Sequence, residues 1–506
     1  MRRTTLAIAM LLIPFLLPAA TCPELPGNAS WSEQERWVWN EVCAGREANL
    51  QQQYGGNETP GQAENWPPQR DLSERFLRTI LLDDTYRSRI PHQGVLIVGA
   101  RFREKIDLSH SQLKHELSLR SSRFEGTARS VEALNLVGTE ISGRLNLDHS
   151  TFLKHVNMDS MRAEALFLTN GSFPSVWLAS ARFEQLSIDD TTVVSELQMR
   201  NLEVAGDFSL RNSILTKVVL RSARIGGTLA IEGPRRLRDP VAESQGCQNN
   251  ITPRPKYGHQ SVDLTGATVG TLTLGSLCYG PVDAPKNWGV GAELILTSAS
   301  VHNLQDGLCR ENGSDCTDDT WPERLKLTGF TYQELENFDY DRELDMAARP
   351  AAWWTGWLGR QEYSRQPYEY LASILSKVGY KGKAEDILYA GKNRELENAP
   401  FPSSIMLWVE RVLIGYGYRI WYALVWVAGF IILGAIVLRL SGEGRRNRMP
   451  YGIAFSFDML LPIVKLREYH YSVDLKGWAR YYFYFHKLMG YVLASFLIAG
   501  LTGLTK

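Results

Sequence analysis

The run "SIDDTT", residues 187–192, sets Asp189 and Asp190 side by side. Clustered carboxylates are the working groups of glycoside hydrolysis, one donating a proton while the other attacks or activates water. No other adjacent acid pair stands in the regular part of the chain, so Asp189 and Asp190 are the catalytic candidates. Arg200 and Arg221 sit one repeat apart, and stacked guanidiniums repel unless an anion or a carboxylate lies between them. They are the candidate binding residues for an anionic saccharide, with neutralisation by Asp189 and its neighbours as the competing reading.

Farther along, Asp458 in "FSFDMLLPIV" is a carboxylate among apolar neighbours, costly at membrane depth and the residue to watch in a pore. His470, Asp474 and His486 have metal-binding chemistry but no helical i, i+4 spacing, so they read as solvated side chains and no metal site is expected. The six cysteines are Cys22, Cys43, Cys247, Cys278, Cys309 and Cys316. An even count in an exported region points to disulfides, and proximity suggests Cys309 with Cys316, Cys22 with Cys43 and Cys247 with Cys278. None has the C-x-x-C spacing of a zinc site. No G-x-S-x-G, P-loop or nucleotide-binding glycine motif is present, and no cofactor is expected.

The elements that must position these residues begin with "MRRTTLAIAMLLIPFLLPAATC", a basic start, an apolar run and small residues ending at Ala20. That is the three-part plan of a secretory signal peptide, residues 1–20. Cys22 would be the lipid site of a lipoprotein, but Thr21 stands where such a box carries Gly or Ala. Residues 21–93 form a helical cap. There Ser30 and Glu33 fit a capping box, and Phe76, Leu77, Ile80 and Leu81 share one helical face.

From 94 to 335 the helical period gives way to pairs of apolar residues two apart, such as Leu145 and Leu147, then Val156 and Met158, recurring every ten or eleven residues. Between pairs, a small residue precedes a large one by two places, as in Ala100 and Phe102, Ser122 and Phe124, Ser150 and Phe152. Alternation says strand, and a fixed repeat of short strands says solenoid. The expected fold is therefore mainly β, a right-handed parallel β-helix of the pentapeptide-repeat kind, about eight coils and on the order of 40 Å long. Asp148 and Asp159 then fall on opposite sides of the rod. Three insertions carry four of the cysteines and form loops on the rod.

Residues 336–410 read as a helical hairpin linker, with Tyr370, Ile374 and Leu375 facing Ala384, Ile387 and Leu388. Residues 411–506 read as a membrane domain with two transmembrane helices, about 418–440 and 484–504. The arginines of "RLSGEGRRNR" belong in the cytoplasm by the positive-inside rule, which leaves the rod and the carboxyl end outside. Basic and acidic residues balance at 55 each, which argues against a nucleic-acid partner.

"GARFREKIDLS", "SARIGGTLAIEG", "LTGFTYQELE", "QPYEYLASILSKVGYKGKAEDIL", "FSFDMLLPIV" and "GYVLASFLIAGLTGL" together resemble a group of bacterial membrane-anchored proteins with pentapeptide-like repeats. Some of these are labelled membrane-associated oxidoreductase, which implies redox chemistry. No flavin, nicotinamide or haem motif accompanies the resemblance here, so no catalytic residue is carried over, and the cysteine-bearing loops depart from the family pattern. The expected function is a non-enzymatic binding or scaffold module, placed in the periplasm or outside the cell by a multi-pass inner-membrane anchor. Its partners are the bilayer and an envelope protein or polysaccharide. The alternatives are a polysaccharide-active enzyme working on the rod face and a pore or transport-associated protein.

Overall fold

The computed structural model describes residues 31–56, 59–211, 213–231, 259–274, 288–306, 321–336, 346–419, 421–449, 452–461 and 465–501. It divides into two units, Met1–Met346 and Ala347–Lys506.

The first unit is built on short parallel strands in two sheets, one of 14 strands and one of 13 among the described residues. The apolar pairs of the sequence fall into these sheets in turn. Leu145 lies opposite Leu117 and Leu166 in one sheet, and Val156 lies opposite Leu134 and Val176 in the other. The same register carries on through Leu186, Phe208, Leu229, Leu272 and Leu304. Because side chains alternate across a strand, each pair sends both members inward, and Leu145, Leu147, Val156 and Met158 are fully buried.

The small-then-large beat has its own structural role. Phe102, Phe124, Phe152 and Phe173 stack in a file, ring centroids 5.0, 4.2 and 4.8 Å apart. The small residue two places before each ring sits at a turn, and where it is a serine its hydroxyl ties neighbouring repeats together. Ser122 Oγ accepts from the Ala100 N–H at 3.2 Å and donates to the Arg120 carbonyl at 2.9 Å. Ser150 Oγ accepts from the Ser122 N–H at 3.1 Å and donates to the Leu119 carbonyl at 3.0 Å. These bonds offset the desolvation of the buried hydroxyls.

Each turn carries one residue in the left-handed region, among them Ser121, His149, Asn170 and Asp190. Short polar side chains tolerate that conformation best. Ser121 N–H donates to the Asp148 carbonyl, His149 N–H to Thr169 and Asn170 N–H to Asp189, at 2.8, 2.8 and 2.9 Å. These turns therefore stack in a single column. His110, Gly138, Ser160 and Ser180 form a second column by the same bonds. Asp148 and Asp159 accordingly sit in different columns.

The helical cap covers the first strand edge. Its helix α1 (Glu33–Cys43) is capped by Ser32 with Glu35, so the capping box lies two residues beyond the expected Ser30 and Glu33. Both spacings satisfy the motif, but the helix begins at Glu33, and Ser30 lies outside the described residues. Glu35 also accepts from Ser73 N–H and Oγ at 3.0 and 2.5 Å, which joins α1 to α2 (Glu74–Leu82). Phe76, Leu77, Ile80 and Leu81 are buried, as their spacing predicts. Ala48 pairs with Ile97 of the first strand. Arg123 clasps the Pro60 and Gly61 carbonyls, each at 3.1 Å. An edge covered in this way cannot recruit foreign strands.

The second unit contains the hairpin of α3 (Arg365–Lys377) and α4 (Lys381–Asn398). Ile374 and Leu375 meet Ala384 and Ile387 in its interior. Tyr368, not the expected Tyr370, takes the central place, because the 3.6-residue period aligns it with Leu371 and Leu375, and Gly391 leaves room for its ring. Tyr370 and Leu388 are half-buried at the margins. There follow α5 (Ser403–Ile414), α6 (Trp421–Leu440), α7 (Ile453–Leu460) and α8 (Trp478–Leu501).

Among the described residues one helix, α6, is long and apolar enough to cross a membrane. Of the two expected spans, the first is matched by α6, while the second, 484–504, runs past Leu501 into residues outside the described ones. His486 and Lys487 interrupt the apolar run of α8 after a tyrosine-rich start. α8 packs against α6 and α7, and a Cβ at Gly490 would lie 1.9 Å from the Leu460 carbonyl, so only glycine permits that approach.

Phe124→Ala is expected to destabilise the first unit by about 3–5 kcal/mol. Val131→Ala, at a side chain 68% exposed, should stay within about 0.5 kcal/mol. Tryptophan-fluorescence denaturation of the full chain in detergent measures the difference.

Candidate functional site

The predicted acid pair is built into the stacked turns. Asp189 Oδ1 accepts from Ser209 Oγ at 2.6 Å and from Arg211 N–H at 2.7 Å, and Oδ2 accepts from Ser187 Oγ at 2.8 Å. Its lone pairs are spent on holding one turn to the next. Asp190 occupies the left-handed corner itself, with φ of 53°, so the two carboxylates are a turn residue and its neighbour. Asp148 and Asp159 work as Asp189 does, accepting from Thr169 N–H at 3.0 Å and Ala179 N–H at 2.7 Å.

Arg200 and Arg221 do follow one another in the second column of turns, where Asn201 N–H donates to the Arg221 carbonyl at 2.9 Å. Arg221 Nε donates to Asp263 Oδ2 at 2.6 Å, so its counter-charge comes from the next repeat. The expected anion groove is already filled there by a carboxylate. Arg200 acts on Glu196, which Lys217 also pairs at 2.5 Å.

A carboxylate cluster with no signature in the linear pattern lies on the outer face of the 13-stranded sheet. Lys105 Nζ reaches Asp107 at 3.1 Å and Glu132 at 2.9 Å. Asn135 donates to Asp107 at 3.1 Å, and Asn157 donates to Glu132 at 3.0 Å. Beside them the His155 ring stacks on Trp177 at 5.3 Å. The register places Asp107, Asn135, Asn157 and Trp177 in successive strands of one row. Burial pushes the Asp107 carboxyl up, but hydrogen bonds from Ser109, Lys105 and Asn135 outweigh it and bring the pKa down to about 2. Glu132 is also lowered, burial being outweighed by Lys105 and Asn157, whereas burial, with a smaller contribution from Glu132, raises Asp159. Only stacking could reveal these partners, since Asp107 and Asn135 are separated by one whole irregular repeat.

A cleft of ≈ 860 Å³ lies between the cap and the first column of turns. Asn49, Gln51, Gln52 and Thr59 line it from the cap. Ser121, His149, Thr151 and Asn170 line it from the turns. Three of these four are consecutive members of one element: Ser121, His149 and Asn170 are left-handed corners stacked by backbone hydrogen bonds. Amides, hydroxyls and one imidazole face the space, and among the described lining residues there is no carboxylate, ammonium or guanidinium.

In the second unit Asp458 is fully buried and closes a loop. Its oxygens accept from Leu466 N–H at 3.0 Å and Arg467 N–H at 3.2 Å, and His470 Nδ1 lies 2.9 Å away. His470 and His486 are buried, contrary to the solvated reading, because each ring meets a partner from another segment. His486 Nε2 is 2.9 Å from the Ser456 carbonyl, while Asp474 pairs with Arg480 at 2.7 Å. Among the described residues no group of three or more His, Cys, Asp or Glu side chains could hold a metal ion.

Compared with protein-family models, with curated proteins and with solved structures, the chain matches none.

Cys43 ends α1. Cys22, Cys247, Cys278, Cys309 and Cys316, and with them the three inserted loops, lie outside the described residues.

Asp189→Ala is expected to cost about 1–3 kcal/mol by stranding the Arg211 N–H, while Asp189→Asn, which keeps an acceptor, should cost less than about 1 kcal/mol. Chemical denaturation distinguishes the two. Asp107, held below its ordinary value of 3.8, stabilises the fold above that pH and loses the contribution as pH falls toward about 2. The stability deficit of Asp107→Asn at pH 6 is therefore expected to vanish near pH 2, as read by paired melts across that range.

Proposed function

We propose that this chain is a membrane-anchored binding module. Its first unit is a right-handed parallel β-helix of the pentapeptide-repeat kind, held by α6 on the outer side of a bacterial inner membrane, where it presents a rigid polar surface to an envelope partner. The observation that carries the reading is the outward apolar face of α6. Leu424, Val425, Ile432, Leu433, Ile436 and Leu440 are all exposed. Apolar surface left in water costs roughly 25 cal/mol per Å², and a bilayer removes that cost. The preceding helix α5 exposes Ile405, Met406 and Trp408 alongside Phe401, the composition of a segment lying in the headgroup region.

Sidedness is supported by the arginines after α6, Arg445, Arg446 and Arg448, and by the signal-peptide pattern at the amino end. A binding role is favoured over catalysis because the carboxylates of the stacked turns are engaged by backbone N–H groups and hydroxyls. A pore is disfavoured because the Asp458 oxygens are taken up by the loop it closes.

Cysteine labelling tests the arrangement. A cysteine replacing Val194, 67% exposed, is expected to react with a membrane-impermeant maleimide in cells whose outer membrane has been opened. One replacing Arg446 is expected to react only after lysis. Equal or reversed labelling, measured against the chain with its native cysteines alone, would refute the proposed orientation.

A further inference from the structure

We propose that the cleft between the helical cap and the first column of turns binds a neutral saccharide chain. The inference deepens the binding-module reading and depends on it only for the compartment in which the ligand is met.

The argument starts from the lining. Asn49 Oδ1 already accepts from Gln52 N–H at 2.9 Å, but an apolar ligand would strand its NH2, the carboxamides of Gln51 and Gln52 and the polar corners opposite them, at a cost comparable to a lost hydrogen bond for each group it buries. A polyhydroxylated ligand satisfies them, because an amide donates and accepts at once and a sugar hydroxyl does the same.

Charge narrows the class. The nearest guanidiniums are already committed. Arg70 stacks on Trp66 at 3.3 Å and donates to the Gly99 carbonyl at 2.7 Å. Arg101 donates to the Ala63 carbonyl at 2.7 Å, and Arg123 is held by the Pro60 and Gly61 carbonyls and by Glu125 at 2.9 Å. An acidic glycan would enter without a counter-charge, and desolvating its carboxylates there would be unfavourable.

Geometry then favours a chain over a single sugar. Ser121, His149 and Asn170 stand in successive repeats, spaced about 4.8 Å apart along the stack, so they span on the order of 10 Å. Their left-handed backbone fixes each corner, which leaves a rigid row of polar groups facing the more varied amides of the cap. The cavity, at ≈ 860 Å³, holds several sugar rings. A peptide of ordinary composition would bring apolar side chains for which Pro60 is the main apolar partner among the lining residues.

The test uses the full chain in detergent. Maltohexaose, cellohexaose and chitohexaose are titrated by calorimetry, with hexagalacturonate as the acidic comparison and a random-peptide display selection in parallel. At least one neutral hexamer is expected to bind. His149→Ala and Asn170→Ala should each weaken it, and the double variant should lose about tenfold or more. Asp189→Asn, outside the cleft, should bind as the unaltered chain does. Absence of binding to every neutral hexamer, preference for hexagalacturonate, affinity indifferent to the cleft substitutions, or selection of peptides that compete at the cleft would each overturn the proposal. Calorimetry in detergent does not depend on membrane sidedness, so failure here and failure of the labelling experiment are separable.

Discussion

The inward apolar residues of the strands in the first unit lie opposite one another one repeat away, and the rest of that unit depends on this stacking. Leu117, Leu145, Leu166 and Leu186 form one file and Leu134, Val156 and Val176 another, in separate parallel sheets. Burying one such side chain is worth about 1.5–3 kcal/mol. No repeat can collect that alone, because its partners lie in the repeats on either side. The stack therefore imposes a common register, and with it a common position for every turn.

That register governs the polar chemistry. A turn that must align with its neighbours needs its N–H groups satisfied by the next repeat, and Asp148, Asp159 and Asp189 provide the acceptors. Acids that look available in a linear reading are thereby committed to architecture. The same logic gathers Lys105, Asp107, Glu132 and Asn157 from different repeats into one outer-face cluster. Where the cap diverges from the column of turns, the regular pairing leaves a space lined by polar groups. A binding role arises at this departure from the repeat.

The second unit obeys a different constraint, close approach of helices around small residues. Gly490 lets α8 meet the Leu460 carbonyl, and Gly434 lies where a Cβ would come within 2.2 Å of Ser456 Oγ. Buried polar groups in this packing are matched locally, as Asp458 is with the loop N–H groups and His470. α6 has an outward face with no such partners, which suits it to lipid.

The alternation and spacing of apolar residues determined the strands, the two-walled repeat, the inward faces and the α2 core, since period and burial are local properties of a pattern. The separation of Asp148 from Asp159 was legible for the same reason. Sequence adjacency concealed the different places of Asp189 and Asp190, where one residue serves a turn and the next occupies its corner. Solvation was misjudged at His470 and His486, because their partners come from other segments. Only the tertiary structure decided which carboxylates meet, that Asp263 answers Arg221, and that Asn49 and Gln51 face His149 and Asn170 across a cleft. Those encounters depend on how repeats of unequal length come into register and on where the cap rests, and neither is encoded within any single stretch of chain.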